Sequence, residues 1–140
     1  MPDLDHYSQL PGDRPSVELI RTSVEACDRA YSPYSAVQVG VTITTESGGV
    51  YTGANIENAS YGATICAERS ALAAAVMHEG APLTADRIVV VGRPGERFSP
   101  CGICRQVIAE LAPAAIVHFV YDGRWEAIAA NELLPRGFTL

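Results

Sequence analysis

Apolar residues recur along this chain in two rhythms. Val17, Ile20, Val24, Cys27 and Tyr31 return at steps of three and four, which puts them on one face of a helix. Pro15 suits a first-turn position and Pro33 stops the run, so the pattern predicts a helix between them. The step then drops to two. Val37, Val39, Val41 and Ile43 alternate with Gln38, Gly40, Thr42 and Thr44, the pattern of a strand with one buried face. Gly48-Gly49 marks a turn, and Val50 to Ile56 reads as the returning strand of a hairpin. After a loop around Gly62, the alanine-rich stretch from about Cys66 to His78 predicts a second helix, stopped by Gly80 and Pro82. Ile88 to Val91 is continuously apolar, as expected of a strand covered on both faces. Gly102 to Leu111 predicts a third helix. Ile116 to Tyr121 and Trp125 to Ile128 flank Asp122-Gly123, a strong hairpin turn, and Asn131 to Leu134 forms a short helical turn ended by Pro135.

The order α-β-β-α-β-α-β-β is satisfied by a three-layer α/β/α arrangement, with helices on both faces of a five-stranded mixed sheet. The 140 residues fit a single domain spanning 1–140, with residues 1–13 read as a loose tail. Nearly half of the residues are apolar, a globular composition. No apolar run reaches the ~20 residues of a membrane helix. Met1 to Gly12 lacks the basic and apolar regions of a signal peptide. These features predict a cytoplasmic protein without a membrane partner, where clustered cysteines serve metal or catalysis rather than disulfides. The net charge of −6, with ten basic residues that are all arginine, argues against a nucleic-acid partner and for a small substrate.

The chemistry concentrates in Cys66-Ala67-Glu68 and, farther on, Pro100-Cys101-Gly102-Ile103-Cys104. Each motif opens a predicted helix. A helix start presents unpaired N–H groups and partial positive charge, both of which favour thiolate. Cys101 and Cys104 are three apart, so both can face one point. Three thiolates fill three corners of a zinc tetrahedron and leave the fourth open for water, with Glu68 beside it rather than on the metal. Three thiolates also leave the centre at net −1, which opposes ionisation of a bound water. Arg69 is the candidate donor that would draw charge from the sulfurs. Arg105 is read as a solvated surface charge. Cys27 lies on the apolar face of the first helix and reads as core. His6, His78 and His118 lack ligand spacing.

With these motifs in place the chain resembles the small, homotetrameric cytidine deaminases. Their signature pairs a Cys or His, then x-Glu, with a later Pro-Cys-x-x-Cys. The likeness runs from Tyr31 to Phe138 and is carried by Tyr31-Ser32-Pro33-Tyr34-Ser35, Gly53 through Ala59, Tyr61-Gly62, Ile65 through Arg69, Ser99 through Gln106 and Leu133-Leu134-Pro135. It implies one Zn2+ per chain on Cys66, Cys101 and Cys104. It further implies hydrolytic attack at C4 of cytosine in pyrimidine salvage, with Glu68 moving the proton from water to N3 and on to the leaving amine. Asn55 and Glu57 would hold the ribose hydroxyls. The Ala67 main chain would bind the base oxygen, and the Ser99 carbonyl would face the amine. Ala59, Tyr61 and Phe138 would reach into a neighbouring subunit's site. Alone, Asn55, Glu57 and Asn58 would read as a polar strand end, and Tyr61 and Phe138 as packing aromatics. An amide and a carboxylate nevertheless suit a ribose, and such a site penalises analogues that lack a hydroxyl.

The chain departs from the family at Val37, where a phenylalanine usually packs on the base, and at Val41-Thr42, where small residues are common. The lost ring contact is worth about 0.5–1.5 kcal/mol beyond area burial. Lower affinity, a wider pocket or cover by another ring are the outcomes to expect, with an altered substrate preference. Two other readings compete. One is a deaminase of a modified cytosine nucleoside or antibiotic similar to blasticidin S, which the Asn55-x-Glu57 pair disfavours. The other is a catalytically silent zinc-stabilised binding protein, which has no use for Glu68.

Overall fold

The computed structural model describes residues 2–95 and 97–140. Among the described residues, four α-helices and five strands follow one another as α1 (Pro2–Gln9), α2 (Val17–Cys27), β1 (Gln38–Thr45), β2 (Val50–Ala54), α3 (Ala67–Glu79), β3 (Ala85–Arg93), α4 (Gly102–Leu111), β4 (Ile116–Tyr121) and β5 (Arg124–Ala129). Single 3-10 turns occupy Tyr61–Ala63 and Ala130–Glu132. The sheet order is β2-β1-β3-β4-β5. The β3/β4 pair is parallel and the other three pairs are antiparallel, the mixed sheet expected from the sequence.

Alternation along the central strands sorts side chains into two cores. Val41, Ile43, Ile88, Val90, Val117 and Phe119 pack under Ala71, Leu72 and Ala75 of α3 and Ile108 of α4. Val89, Val91 and Val120 pack instead under Ile20, Val24 and Cys27 of α2, with Leu4 and Tyr7 of α1. Helices therefore cover both faces. For this reason β1 is not the one-faced strand that its alternation predicts. Thr42 is fully buried against α2, where its Oγ1 lies 2.8 Å from Ser23 Oγ, which is also 3.2 Å from the Val89 carbonyl. A polar residue thus occupies a covered face because a hydroxyl partner meets it there.

The amino-terminal stretch is not a loose tail. Met1 lies outside the described residues, but α1 follows directly. Tyr7 is buried, its hydroxyl donates to the Gly92 carbonyl, and its own carbonyl accepts from Trp125 Nε1 at 2.9 Å. Arg93 closes the helix down, 3.1 Å from Asp3 and 2.6 Å from Asp28. Helix α2 also stops earlier than Pro33 suggests. After Cys27 the chain turns, and Tyr31 pairs with the segment beyond β2, donating to the Asn55 carbonyl at 3.0 Å and accepting from Glu57 N at 2.8 Å. Val17, predicted on the apolar face of α2, is exposed.

Candidate active site

Register brings the site together at one end of the sheet. Gln38 at the start of β1 pairs with Arg93 at the end of β3, and Gly40 pairs with Ala54 at the end of β2. Cys66 caps α3 and Cys101 caps α4, so both sulfurs stand at helix starts as the sequence suggests. Cys101 Sγ accepts from Cys104 N at 3.5 Å, a cap bond that folds the Cys-x-x-Cys turn onto one point. Helix α3 is held close to the sheet at Gly53. A Cβ there would stand 2.3 Å from Ala71 N and Ser70 Oγ and 2.6 Å from the Ala67 carbonyl. Ser70 Oγ donates to the Ala54 carbonyl at 3.0 Å and fixes the approach.

The three sulfurs of Cys66, Cys101 and Cys104 lie within 4.8 Å of one another, and among the described residues no fourth ligand joins this group. Tetrahedral zinc at ~2.3 Å from each thiolate would space its sulfurs roughly 3.8 Å apart. Cys66 and Cys101 Sγ are 3.8 Å apart, so the donor set fits the ion in kind and in spacing. The Cys104 sulfur foremost, with Arg69 and Cys101, outweighs burial and pulls the Cys66 thiol down to about 5. Cys104, beside the Cys66 sulfur and buried next to Glu68, is pushed up. Arg69 Nη2 sits 3.5 Å from Cys66 Sγ and 3.3 Å from the Thr64 carbonyl, where the sequence anticipates a donor to sulfur.

Glu68 is 6% exposed, with Oε2 3.6 Å from Cys104 Sγ. Burial pushes its carboxyl above the ordinary glutamate range, and the charge on Cys66 adds to this against a bond from its own backbone N–H. A cavity of about 260 Å³ opens over this group. Its walls include Cys66, Ala67, Glu68 and Cys101 together with Ser35, Val37, Asn55, Glu57, Phe98 and Ser99.

The expected ribose-binding pair does line the cavity, but both side chains already hold the framework. Asn55 Oδ1 accepts from Val39 N and Nδ2 donates to the Val37 carbonyl, each at 2.8 Å. Glu57 accepts from Tyr34 N at 2.9 Å, Ser35 N at 3.2 Å and Ser35 Oγ at 2.6 Å. The Ser35 hydroxyl foremost, with the two backbone bonds, holds the Glu57 carboxyl below its usual range. Each retains hydrogen-bonding capacity, since an amide offers two donors and a carboxylate about four lone-pair sites.

Ala59, Tyr61 and Phe138 do not line this cavity. Tyr61 is 75% and Phe138 69% exposed, with the Tyr61 ring edge-on to Tyr34. Arg105 corrects the surface reading. It is half-buried, with Nε donating to the Pro100 carbonyl at 2.7 Å and Nη1 to the Leu133 carbonyl at 3.0 Å, and so ties the cysteine turn to the last 3-10 segment. Sequence reasoning also missed Phe98, whose one available signal was its place two residues before Pro100-Cys101.

A family model described as the cytidine and deoxycytidylate deaminase zinc-binding region matches residues 14–120. The chain belongs to this family. It is 45% identical over 123 residues to a cytidine deaminase of Halalkalibacterium halodurans, covering 86% of this chain and 92% of that one. Among solved structures, a cytidine deaminase from Burkholderia pseudomallei superposes with a TM-score of 0.82 at 40% identity, covering 89% of this chain and 99% of that one. A blasticidin-S deaminase of Bacillus cereus stands further off, at 29% identity over 131 residues, 88% of this chain and 91% of that one. The deaminase fold and enzyme class expected from the motifs hold. Among the described residues, no helix is long and apolar enough to cross a membrane.

Proposed function

We propose that this chain is a zinc-dependent hydrolase that deaminates cytidine, deoxycytidine or both to the corresponding uracil nucleoside and ammonia. The observation that carries the reading is the convergence of three sulfurs, with no fourth ligand in the described group, beside the buried carboxylate of Glu68. Cys66, Cys101 and Cys104 would hold the zinc, which when bound supplies a Lewis acid that makes water a nucleophile near neutral pH. Glu68 accepts the water proton, returns it to the ring nitrogen and then serves the leaving amine. Its raised pKa suits a group that must both take and give protons. Arg69 draws charge from the Cys66 sulfur. The Ala67 main chain faces the base oxygen and the Ser99 carbonyl the amine.

Asn55 and Glu57 meet the ribose with their remaining donor and acceptor capacity, while their committed bonds keep the 34–39 segment in place. The exposure of Tyr61, Phe138 and Ala59 leaves them available to complete a neighbour's site in a homotetramer. The net charge of −6 supports a small substrate rather than nucleic acid, and a cytoplasmic location is part of the same reading.

The test follows cytidine absorbance with zinc-loaded protein. Wild type should convert cytidine to uridine, and Glu68→Ala should lose turnover by about 10²–10⁴ while zinc stays near one per chain. An inactive wild type with full zinc would favour the silent binding protein. Turnover confined to bulkier cytosine compounds would favour the antibiotic reading.

A further inference from the structure

Among the residues that line the cavity over Glu68, only Phe98 carries an aromatic ring. A pyrimidine is flat and largely apolar on its faces, so it needs a flat apolar wall. Phe98 is also held where such a wall belongs. Its N–H donates to the Val120 carbonyl at 3.1 Å, which pins the backbone to β4. Its ring lies on β3 at Gly92. A Cβ at that position would stand 2.4 Å from both Cδ1 and Cε1 of the ring, so the absence of a side chain is what seats it. The Tyr7 hydroxyl bonds the backbone of the same glycine and fixes the seat through α1.

Val37 and Phe98 share a second hollow, of about 610 Å³, with Pro94, Gly95, Asp122 and Gly123. The two side chains therefore stand between this outer hollow and the site cavity. Arg97 also lines both hollows, but its head group is engaged elsewhere, 2.6 Å from Asp122 Oδ1 and over the Tyr121 ring. The partition is thus one ring and one small branched side chain.

On the nucleoside-deaminase reading above, we propose that Phe98 is the aromatic wall against which the pyrimidine packs, with Gly92 as its seat and Val37 as the small side chain that leaves it room. The ring that Val37 does not offer is supplied from the segment between β3 and α4. Phe98 acts through packing on the substrate base and moves no proton.

Steady-state kinetics on cytidine, with zinc-loaded wild type, Phe98→Leu, Phe98→Tyr, Val37→Phe and Val37→Phe/Phe98→Leu, tests this. Phe98→Leu should raise KM roughly 2- to 12-fold with little change in kcat. Phe98→Tyr keeps the ring and should keep KM. Val37→Phe alone crowds the ring and should raise KM, and the double variant should recover towards wild type. An unchanged KM in Phe98→Leu overturns the proposal, as does a KM for Phe98→Tyr raised as far as that of Phe98→Leu. A double variant no better than the worse single also overturns it. Should Phe98→Leu fail to fold, Phe98→Tyr and Val37→Phe alone decide: a KM raised about tenfold by Phe98→Tyr, or left unchanged by Val37→Phe, overturns the proposal. A zinc-replete wild type that releases no ammonia from cytidine removes the deaminase reading and this inference together. An active wild type with a flat KM across the variants removes this inference alone.

Discussion

Asn55→Ala separates a framework role from a substrate role at one side chain. The substitution removes two bonds of 2.8 Å and strands the Val39 N–H and the Val37 carbonyl. An unmade hydrogen bond on a buried main-chain group costs about 1–3 kcal/mol. Val37 and Val39 are half-buried and line the cavity, so water reaches them in part, and the lower end of that range applies. The pair then amounts to about 2 kcal/mol. For a chain of this length, 1 kcal/mol moves the melting temperature by about 3–5 °C, which predicts a fall of roughly 6–10 °C. Asn55→Asp keeps the acceptor for Val39 N–H but turns a carboxylate oxygen towards the Val37 carbonyl. It should be at least as unstable at pH 7 and recover as the pH falls and the carboxyl regains a proton to donate. The assay is thermal unfolding at fixed zinc, alongside KM for cytidine. A melting temperature unchanged in Asn55→Ala, with KM alone raised, would refute the reasoning and leave Asn55 to the substrate only.

Gly53→Ala should displace the start of α3, because the new methyl meets helix backbone at 2.3 Å. The expected cost is about 1–3 kcal/mol in urea unfolding, with weaker zinc retention on dialysis since Cys66 and Glu68 ride on that turn. A variant with wild-type zinc content and stability would contradict the close approach. His118 should make stability fall at mildly acid pH. It is buried, with Nε2 3.3 Å from Arg87 Nη1 and Nδ1 3.0 Å from the Asp13 carbonyl, so the neutral ring accepts from the guanidinium and donates to the carbonyl. Burial and then the Arg87 charge depress its pKa below the ordinary value of ~6.5. Its contribution is therefore full above that pH and lost as pH falls towards the folded-state pKa. Urea midpoints of wild type and His118→Gln should converge between pH 7.5 and 5.5, and parallel curves would exclude the effect.

Much of the fold is visible in local periodicity. The element order from α2 to β5 follows from steps of three to four and of two, and α4 and β4 fall where the pattern puts them. Helix α1 escaped because eight residues with two buried apolar side chains carry too little period to be read. Its burial comes from Gly92 and Trp125, which lie far away in the chain. Arg105 was misread for a similar reason. A carbonyl of Leu133 captures a guanidinium that adjacent residues alone would leave in water.

Sequence by itself determined the chemistry of the metal site. The Cys-x-x-Cys turn is a local object, since helical geometry puts Cys101 and Cys104 side by side, and residue type alone makes them soft ligands with Glu68 two positions beyond Cys66. Tertiary structure decided what surrounds that chemistry. The register of β1 against β3 carries Val37 to the strand end from which Phe98 follows, and the bonds of Asn55 and Glu57 fix the segment facing both. Contacts between residues so far apart depend on which strands pair and how closely they pack, and no local repeat encodes that pairing.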